Sequence, residues 1–190
     1  MAFLKTGDEN IKGIGTIKKR LPGKEDCFLS RQFVIIISIV KISLPTAEGS
    51  NGEMDMTQEK AEFLKSRIDQ CPYNQTNGIR ARLVEDGYAE VTVQSTEHSI
   101  NIWGLPHGGL LFSLADVAVG LAVHSLHQGK AVTVNANVNF IRSSQDGSSL
   151  LGVAQCVRCG RSIGFFQAEV YDNLGTLLLS GQYVMHLSQN

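Results

Sequence analysis

The residues of this sequence that could do chemistry are concentrated between Asn101 and Asp116. Within that stretch, His107-Gly108-Gly109 marks the point where a loop pattern changes to a long apolar helical pattern. The first amides of a helix have no partner inside it, and the helix dipole favours negative charge there. Two glycines also let a ligand approach the main chain closely. We therefore predict an oxyanion site in which both glycine amides point at one carbonyl oxygen. The alternative is a helix start that needs glycine for packing alone.

Asp116 is the only acid in the apolar pattern between residues 107 and 127. Its helical neighbours three and four positions away are Phe112, Ser113, Val119 and Gly120. None of them is a cation, so no salt bridge within the helix neutralises the carboxylate. Because an uncompensated buried carboxylate is costly, we interpret Asp116 as a functional acid. The alternative is a structural aspartate that binds serine or threonine hydroxyls.

The spacing of Gly108 and Asp116 sets a limit on how they act together. They are eight residues apart, which corresponds to about 12 Å along a helix axis. One chain would have difficulty bringing both to the same carbonyl. We therefore predict that the amide donors of one protomer face Asp116 of another protomer across a two-fold interface.

The first half of the chain that positions these residues alternates helical and extended patterns. Apolar spacing predicts a short amphipathic helix over residues 57–70. Two strands follow, Ile79–Glu85 and Tyr88–Gln94, and Asp86-Gly87 between them is a strong hairpin-turn dipeptide. The pattern from His107 to His127 is apolar on nearly every side, which predicts a helix that is buried all round.

The second half of the chain is extended. Strict alternation predicts a strand whose apolar face consists of Val132, Val134, Ala136, Val138 and Phe140. Three more strands are predicted at Leu150–Arg158, Ile163–Tyr171 and Thr176–Leu187. Consecutive strands around one buried helix predict an α+β arrangement, in which a curved, largely antiparallel sheet wraps the helix.

Composition predicts one core and limits the kinds of partner. The chain has 190 residues, of which 43% are hydrophobic, and 17 basic and 18 acidic residues give a formal charge of −1. Nothing global therefore attracts nucleic acid or an anionic membrane. Residues 1–53 share no periodic pattern with the rest, so we interpret them as an extension that is poorly ordered or not part of the native domain, and residues 54–190 as the domain.

Cysteines and apolar runs indicate a cytoplasmic protein without a metal. The four cysteines are too scattered for a disulfide framework, which indicates a reducing compartment. Cys156 and Cys159 form a C-x-x-C, but in a strand such positions point to opposite faces, so we expect inert thiols. The longest apolar run, Phe33–Val40, is too short to cross a bilayer.

The central segment resembles the signature of the PaaI-like, or phenylacetic acid degradation type, branch of the hotdog thioesterases. The matching positions are Asn101, Gly104, His107-Gly108-Gly109 and Leu114-Ala115-Asp116. The resemblance covers about residues 58–188 and includes Asn139-Phe140-Ile141-Arg142 and Val157-x-x-Gly160-Arg161. It implies the hotdog fold and hydrolysis of an acyl-CoA thioester to free acid and CoA, with no cofactor.

The resemblance also implies roles for individual residues. Asn101 and the Gly108 amide would polarise the thioester carbonyl, and Asp116 would act as general base on water or as nucleophile. Thr133 would help to orient the water. His107 is better interpreted as shaping the loop than as the base, and Pro106 before it departs from the family pattern and restricts the loop.

Further expectations concern CoA and assembly. Gly109, Arg142, Arg158 and Arg161 are candidates for binding substrate, because amides and guanidinium groups bind phosphates. Solvated surface arginines are the alternative. We expect a homodimer that assembles into a homotetramer.

Two other functions fit the same sequence. A hotdog dehydratase acting on hydroxyacyl thioesters would need a catalytic histidine with an acidic partner, and His107 could fill that role. A non-catalytic acyl-CoA-binding regulator would need an N-terminal helix-turn-helix, but residues 1–53 lack two amphipathic helices and a basic recognition face.

Overall fold

One long helix lies against a six-stranded antiparallel sheet whose strands follow the order β1-β2-β4-β5-β6-β3. The computed structural model describes residues 56–144 and 148–189, so the predicted extension over residues 1–53 lies outside the described part. The elements are α1 (Gln58–Gln70), α2 (Pro72–Asn77), β1 (Arg80–Glu85), β2 (Tyr88–Gln94), α3 (Gly108–Leu126), β3 (Lys130–Phe140), β4 (Ser149–Cys159), β5 (Ile163–Asp172) and β6 (Leu177–Ser188).

The sheet wraps α3, which contacts all six strands. The closest approach is at β4, where a Cβ on Gly152 would lie 2.8 Å from Leu114 Cγ and 2.9 Å from the Leu114 carbonyl oxygen. Only glycine lets the helix and the strand meet at this distance. The predicted α+β hotdog arrangement is confirmed. By length and hydropathy α3 could also cross a bilayer, but over half of it is buried inside this chain.

The helices and strands before α3 agree with those predicted from the sequence, except for one additional helix. The Thr57 hydroxyl caps α1 by accepting the Lys60 amide. The sequence predicted no element between α1 and β1, whereas Pro72 begins the short helix α2 there, because proline suits the first turn of a helix. Gly87 adopts φ +69° in the predicted hairpin turn, and its amide donates to the Ser125 hydroxyl near the end of α3.

The prediction of one continuous apolar face on β3 is wrong. Thr133 pairs with Met185 and Asn135 pairs with Val184, so Val134 is an extra residue that forms a bulge. The bulge changes which side chains point inward, because facing alternates with every residue. Val132 and Val134 are 55% and 59% exposed as a result. Thr133 instead faces α3.

A second bulge corrects the prediction for the C-x-x-C. The register shifts between Cys156 and Arg158, and Cys156 and Cys159 both pack against the main core rather than on opposite faces. Both are free thiols, and burial raises the pKa of Cys156 to about 12 and also raises that of Cys159. They are therefore protonated at neutral pH and poor nucleophiles.

The prediction that this helix is buried all round is wrong, because part of α3 is only half-buried. One stripe of half-buried residues runs along it, comprising Gly108, Phe112, Ser113, Asp116, Val117, Gly120 and His124. β3 lies beside α3 as the last strand of the sheet, so within the described residues its outer edge has no neighbouring strand. Asp116 on this stripe contacts Thr133 on β3, so the half-buried stripe and the open edge of β3 adjoin each other.

Candidate functional site

Asp116 and Thr133 are in direct contact. The Thr133 hydroxyl donates to Asp116 Oδ1 at 2.8 Å and also lies 3.3 Å from Met185 Sδ. The bulge in β3 produces this contact by turning Thr133 towards α3. Asp116 is half-buried and compensated by the hydroxyl, which corrects the expectation of an uncompensated buried acid. In the part of the chain that the structure describes, Oδ2 of Asp116 has no protein partner and is left for water or a ligand.

The start of α3 offers one free amide, not two. His107 is the N-cap residue, and its Nδ1 accepts the Gly109 amide at 2.9 Å. The His107 carbonyl accepts the amides of Leu110 and Leu111 at 2.9 and 3.3 Å. Among residues 56–144 and 148–189, no acceptor lies on the Gly108 amide. The prediction that the Gly109 amide would point at the same carbonyl oxygen is therefore wrong.

The hydrogen bond to Gly109 selects one tautomer of the neutral His107 imidazole. Because Nδ1 accepts a hydrogen bond, the proton of the neutral ring must lie on Nε2. The side chain is thus committed to the helix start, in keeping with the loop-shaping role rather than the role of a base. Beside it, a Cβ on Gly108 would lie 3.3 Å from Phe140 Cε1, so the Phe140 ring flanks the free amide.

The loop that leads to α3 is organised by Asn101. Its Oδ1 accepts hydrogen bonds from the backbone amides of Trp103 and Leu105 at 2.9 and 3.3 Å. The backbone amide of Asn101 donates to the Leu105 carbonyl at 2.7 Å. Gly104, with φ +74°, makes the turn possible. The side-chain oxygen of Asn101 is occupied, which leaves Nδ2 as the group that can donate to a ligand.

The three arginines predicted to bind CoA do not lie together. Arg142 follows the end of β3, whereas Arg158 and Arg161 flank the turn between β4 and β5. That turn lies near the start of β3, since Ile163 pairs with His186 and Lys130 with Ser188. All three are exposed. One protomer therefore places them at opposite ends of the sheet.

A groove of about 1000 Å³ lies between α1, the second half of α3 and the start of β3. Its basic residues are Lys60, Arg67, His124, His127 and Lys130, and Glu59 is the acid among the lining residues. Leu64, Ile68 and Leu121 provide apolar surface, and the groove reaches Val132, next to Thr133. Burial lowers the pKa of His124, so that ring is neutral at pH 7. The groove complements an extended amphipathic anion. Sequence reading missed it because its residues come from three distant segments.

Comparison with known proteins places these features in a family. The thioesterase superfamily model matches residues 104–178, which include the start of α3, Asp116 and Thr133. A putative esterase of Deinococcus radiodurans is 39% identical over 80 residues, 42% of this chain and 53% of the esterase. The acyl-coenzyme A thioesterase PaaI of Escherichia coli is 35% identical over 94 residues, 49% of this chain. The chain spans 66% of the length of PaaI.

A solved structure is similar to this chain over a longer region. A conserved protein of Pseudomonas aeruginosa is 33% identical and superposes with a TM-score of 0.61, covering 64% of this chain and 98% of that protein. The shared region therefore extends over nearly the whole of a solved relative. The fold similarity is not limited to the segment around α3.

From the hydrogen bonds of Asn101 we expect two substitutions at this position to change the free energy of unfolding by different amounts. Asn101→Ala removes the acceptor of two amides and should lower the free energy of unfolding by about 1–2 kcal/mol. Asn101→Asp keeps Oδ1 in place and should stay within about 0.5 kcal/mol of the wild type. Urea unfolding followed by circular dichroism measures both. Equal stability of Asn101→Ala and the wild type would contradict this description of the loop.

Proposed function

We propose that this chain, which belongs to the thioesterase superfamily as a PaaI-like hotdog protein, hydrolyses acyl-CoA thioesters to a free acid and CoA. The observation that carries the proposal is the contact of the Thr133 hydroxyl with Asp116 on the half-buried stripe of α3. A carboxylate with one oxygen held by a hydrogen bond and the other oxygen free can accept a proton from a water molecule. The naming of PaaI as an acyl-coenzyme A thioesterase supports the choice of thioester.

The start of α3 would stabilise the charge that develops on the carbonyl oxygen. When water attacks the thioester, that oxygen becomes negative and needs hydrogen-bond donors fixed in advance. The free Gly108 amide is one donor, and the Asn101 Nδ2 is the second. The dipole of α3 adds positive potential at the same point. This pair of donors is the one that the resemblance implied, and it takes the place of the two glycine amides predicted from the helix start.

Asp116 would act as general base in this scheme. Its carboxylate takes a proton from water while the water oxygen bonds to the carbonyl carbon, and the C–S bond then breaks. The leaving CoA thiolate takes the proton back from Asp116, so the carboxylate is regenerated. Thr133, by holding Oδ1, keeps the carboxylate from rotating between these two proton transfers.

The complete site would be shared by two protomers. Gly108 and Asp116 lie on the same helix two turns apart, and both belong to the half-buried stripe of α3. If two such helices pair in antiparallel orientation across a two-fold axis, the Gly108 amide of one approaches Asp116 of the partner subunit. The open edge of β3, with Val132, Val134 and Phe140 exposed, supports the same interface. The homotetramer, CoA binding by the three arginines and the cytoplasmic location stay predictions.

Removal of the Gly108 amide tests the oxyanion role. Gly108 is the first residue of α3, where proline is accepted, and His107 before it has the extended ψ of 140° that proline requires. Gly108→Pro therefore removes the N–H and keeps the helix. We expect kcat on acyl-CoA substrates to fall about 100- to 1000-fold.

Gly108→Ala is the matched control, since it retains the N–H and adds only a Cβ next to the Phe140 ring. It should lose far less activity than Gly108→Pro. Release of free thiol from a panel of acyl-CoA esters is the assay, and hydration of enoyl-CoA is measured in parallel to separate a dehydratase. Equal activity of the proline variant and the alanine variant would exclude the amide from catalysis.

Mixing two inactive variants tests the shared site. Gly108→Pro and Asp116→Ala damage different halves of the proposed site, so a heterodimer keeps one intact site and one doubly damaged site. After equal amounts are unfolded together and refolded, half of the dimers are mixed, and activity should return to about a quarter of the wild-type value. No recovery, together with mixed dimers seen by native mass spectrometry, would place each site within one protomer.

A further inference from the structure

Tyr183 is buried, and its hydroxyl is unpaired in the part of the chain that the structure describes. It lies on β6, is 1% exposed and pairs with Ala136 and Phe166 on the two neighbouring strands. Within the described residues its hydroxyl has no hydrogen-bond partner. A buried hydroxyl without a partner costs about 1–3 kcal/mol, so such a group in a native protein needs an explanation. Phenylalanine would fill the same space without that cost.

The position of Tyr183 connects it with the candidate site. Its ring lies 6.2 Å, between centroids, from the ring of Phe112, which stands one helical turn before Asp116 on α3. Two residues further along β6, on the same face, the Sδ of Met185 lies 3.3 Å from the Thr133 hydroxyl. The ring of Tyr183 therefore packs beneath the turn of α3 that carries Asp116.

The surroundings of the Tyr183 hydroxyl keep it protonated, so that it can donate a hydrogen bond. Burial, and after it the negative charge of Asp116, raise the pKa of Tyr183 well above its usual value. The phenol is therefore protonated throughout the neutral range. The carboxylate of Asp116 has about four acceptor positions, of which Thr133 takes one.

We propose that Tyr183 is a positioning residue whose hydroxyl donates to Oδ2 of Asp116 in the assembled site, opposite the bond that Thr133 makes to Oδ1. Two donors on different oxygens fix both the position and the plane of the carboxylate. The free lone pair of Oδ2 then points in a constant direction towards the attacking water. The kinetic consequence rests on the proposed thioesterase function, whereas the contact between Tyr183 and Asp116 does not.

Tyr183→Phe tests this role because it removes the hydroxyl and keeps the ring. We expect kcat to fall about 10-fold and KM to change less than about two-fold, because only the orientation of the base is lost. Resistance to urea should fall slightly, because the variant loses the hydrogen bond from Tyr183 to Asp116. Tyr171→Phe is the control, because Tyr171 is a half-buried tyrosine on β5 whose hydroxyl binds Glu169. It should retain wild-type kcat.

A double-mutant cycle with Asp116→Ala shows whether Tyr183 acts through the acid. In the Asp116→Ala background, Tyr183→Phe should reduce the remaining rate less than about two-fold. The urea midpoints of the two single variants and the double variant should likewise be non-additive. This second readout needs no activity, so it tests the contact even if the wild type hydrolyses none of the thioesters. Wild-type kcat in Tyr183→Phe, or additive effects in both cycles, would overturn the proposal.

Discussion

The hydrogen bond from Thr133 to Asp116 depends on one extra residue in β3. Without the bulge at Val134, the facing of the strand would place Val132 and Val134 inward and Thr133 towards solvent. With it, the hydroxyl meets the carboxylate at 2.8 Å while Ala136 and Val138 further along still pack on the core. A local irregularity thus lets one strand present a polar group to the helix at one end and apolar groups at the other.

The second constraint is the close approach of α3 to the sheet. The contact between Gly152 and Leu114 draws the helix onto β4, and Ser125 near its other end accepts the amide of Gly87 in the hairpin turn. These contacts determine which side of α3 is buried and which carries Asp116. They also set the direction of the helix start, where His107 uses its imidazole to cap Gly109 and leaves Gly108 free. The acid and the free amide are therefore placed by packing at two points along one rigid element.

Much of the fold could be predicted from the sequence because its signals are local. The Asp86-Gly87 turn, the apolar helix after His107 and the extended runs that follow all depend on neighbouring residues, and their bounds agree within two residues. Periodicity could not reveal the bulge in β3, because apolar and polar residues alternate without a break through Val134. The motif drew attention to Asn101, Gly108 and Asp116, and resemblance added Thr133. Tyr183 and the basic groove escaped both, since their partners are distant in sequence.

The proposed hydrolysis depends on Asp116 as the acid that promotes attack on a thioester. The most direct measurement is free-thiol release from a panel of acyl-CoA esters by the wild type and by Asp116→Ala, with circular dichroism to verify the fold. We expect hydrolysis by the wild type and a loss of about 100-fold or more in a folded variant. A folded Asp116→Ala protein that hydrolyses the same esters at the wild-type rate would contradict it.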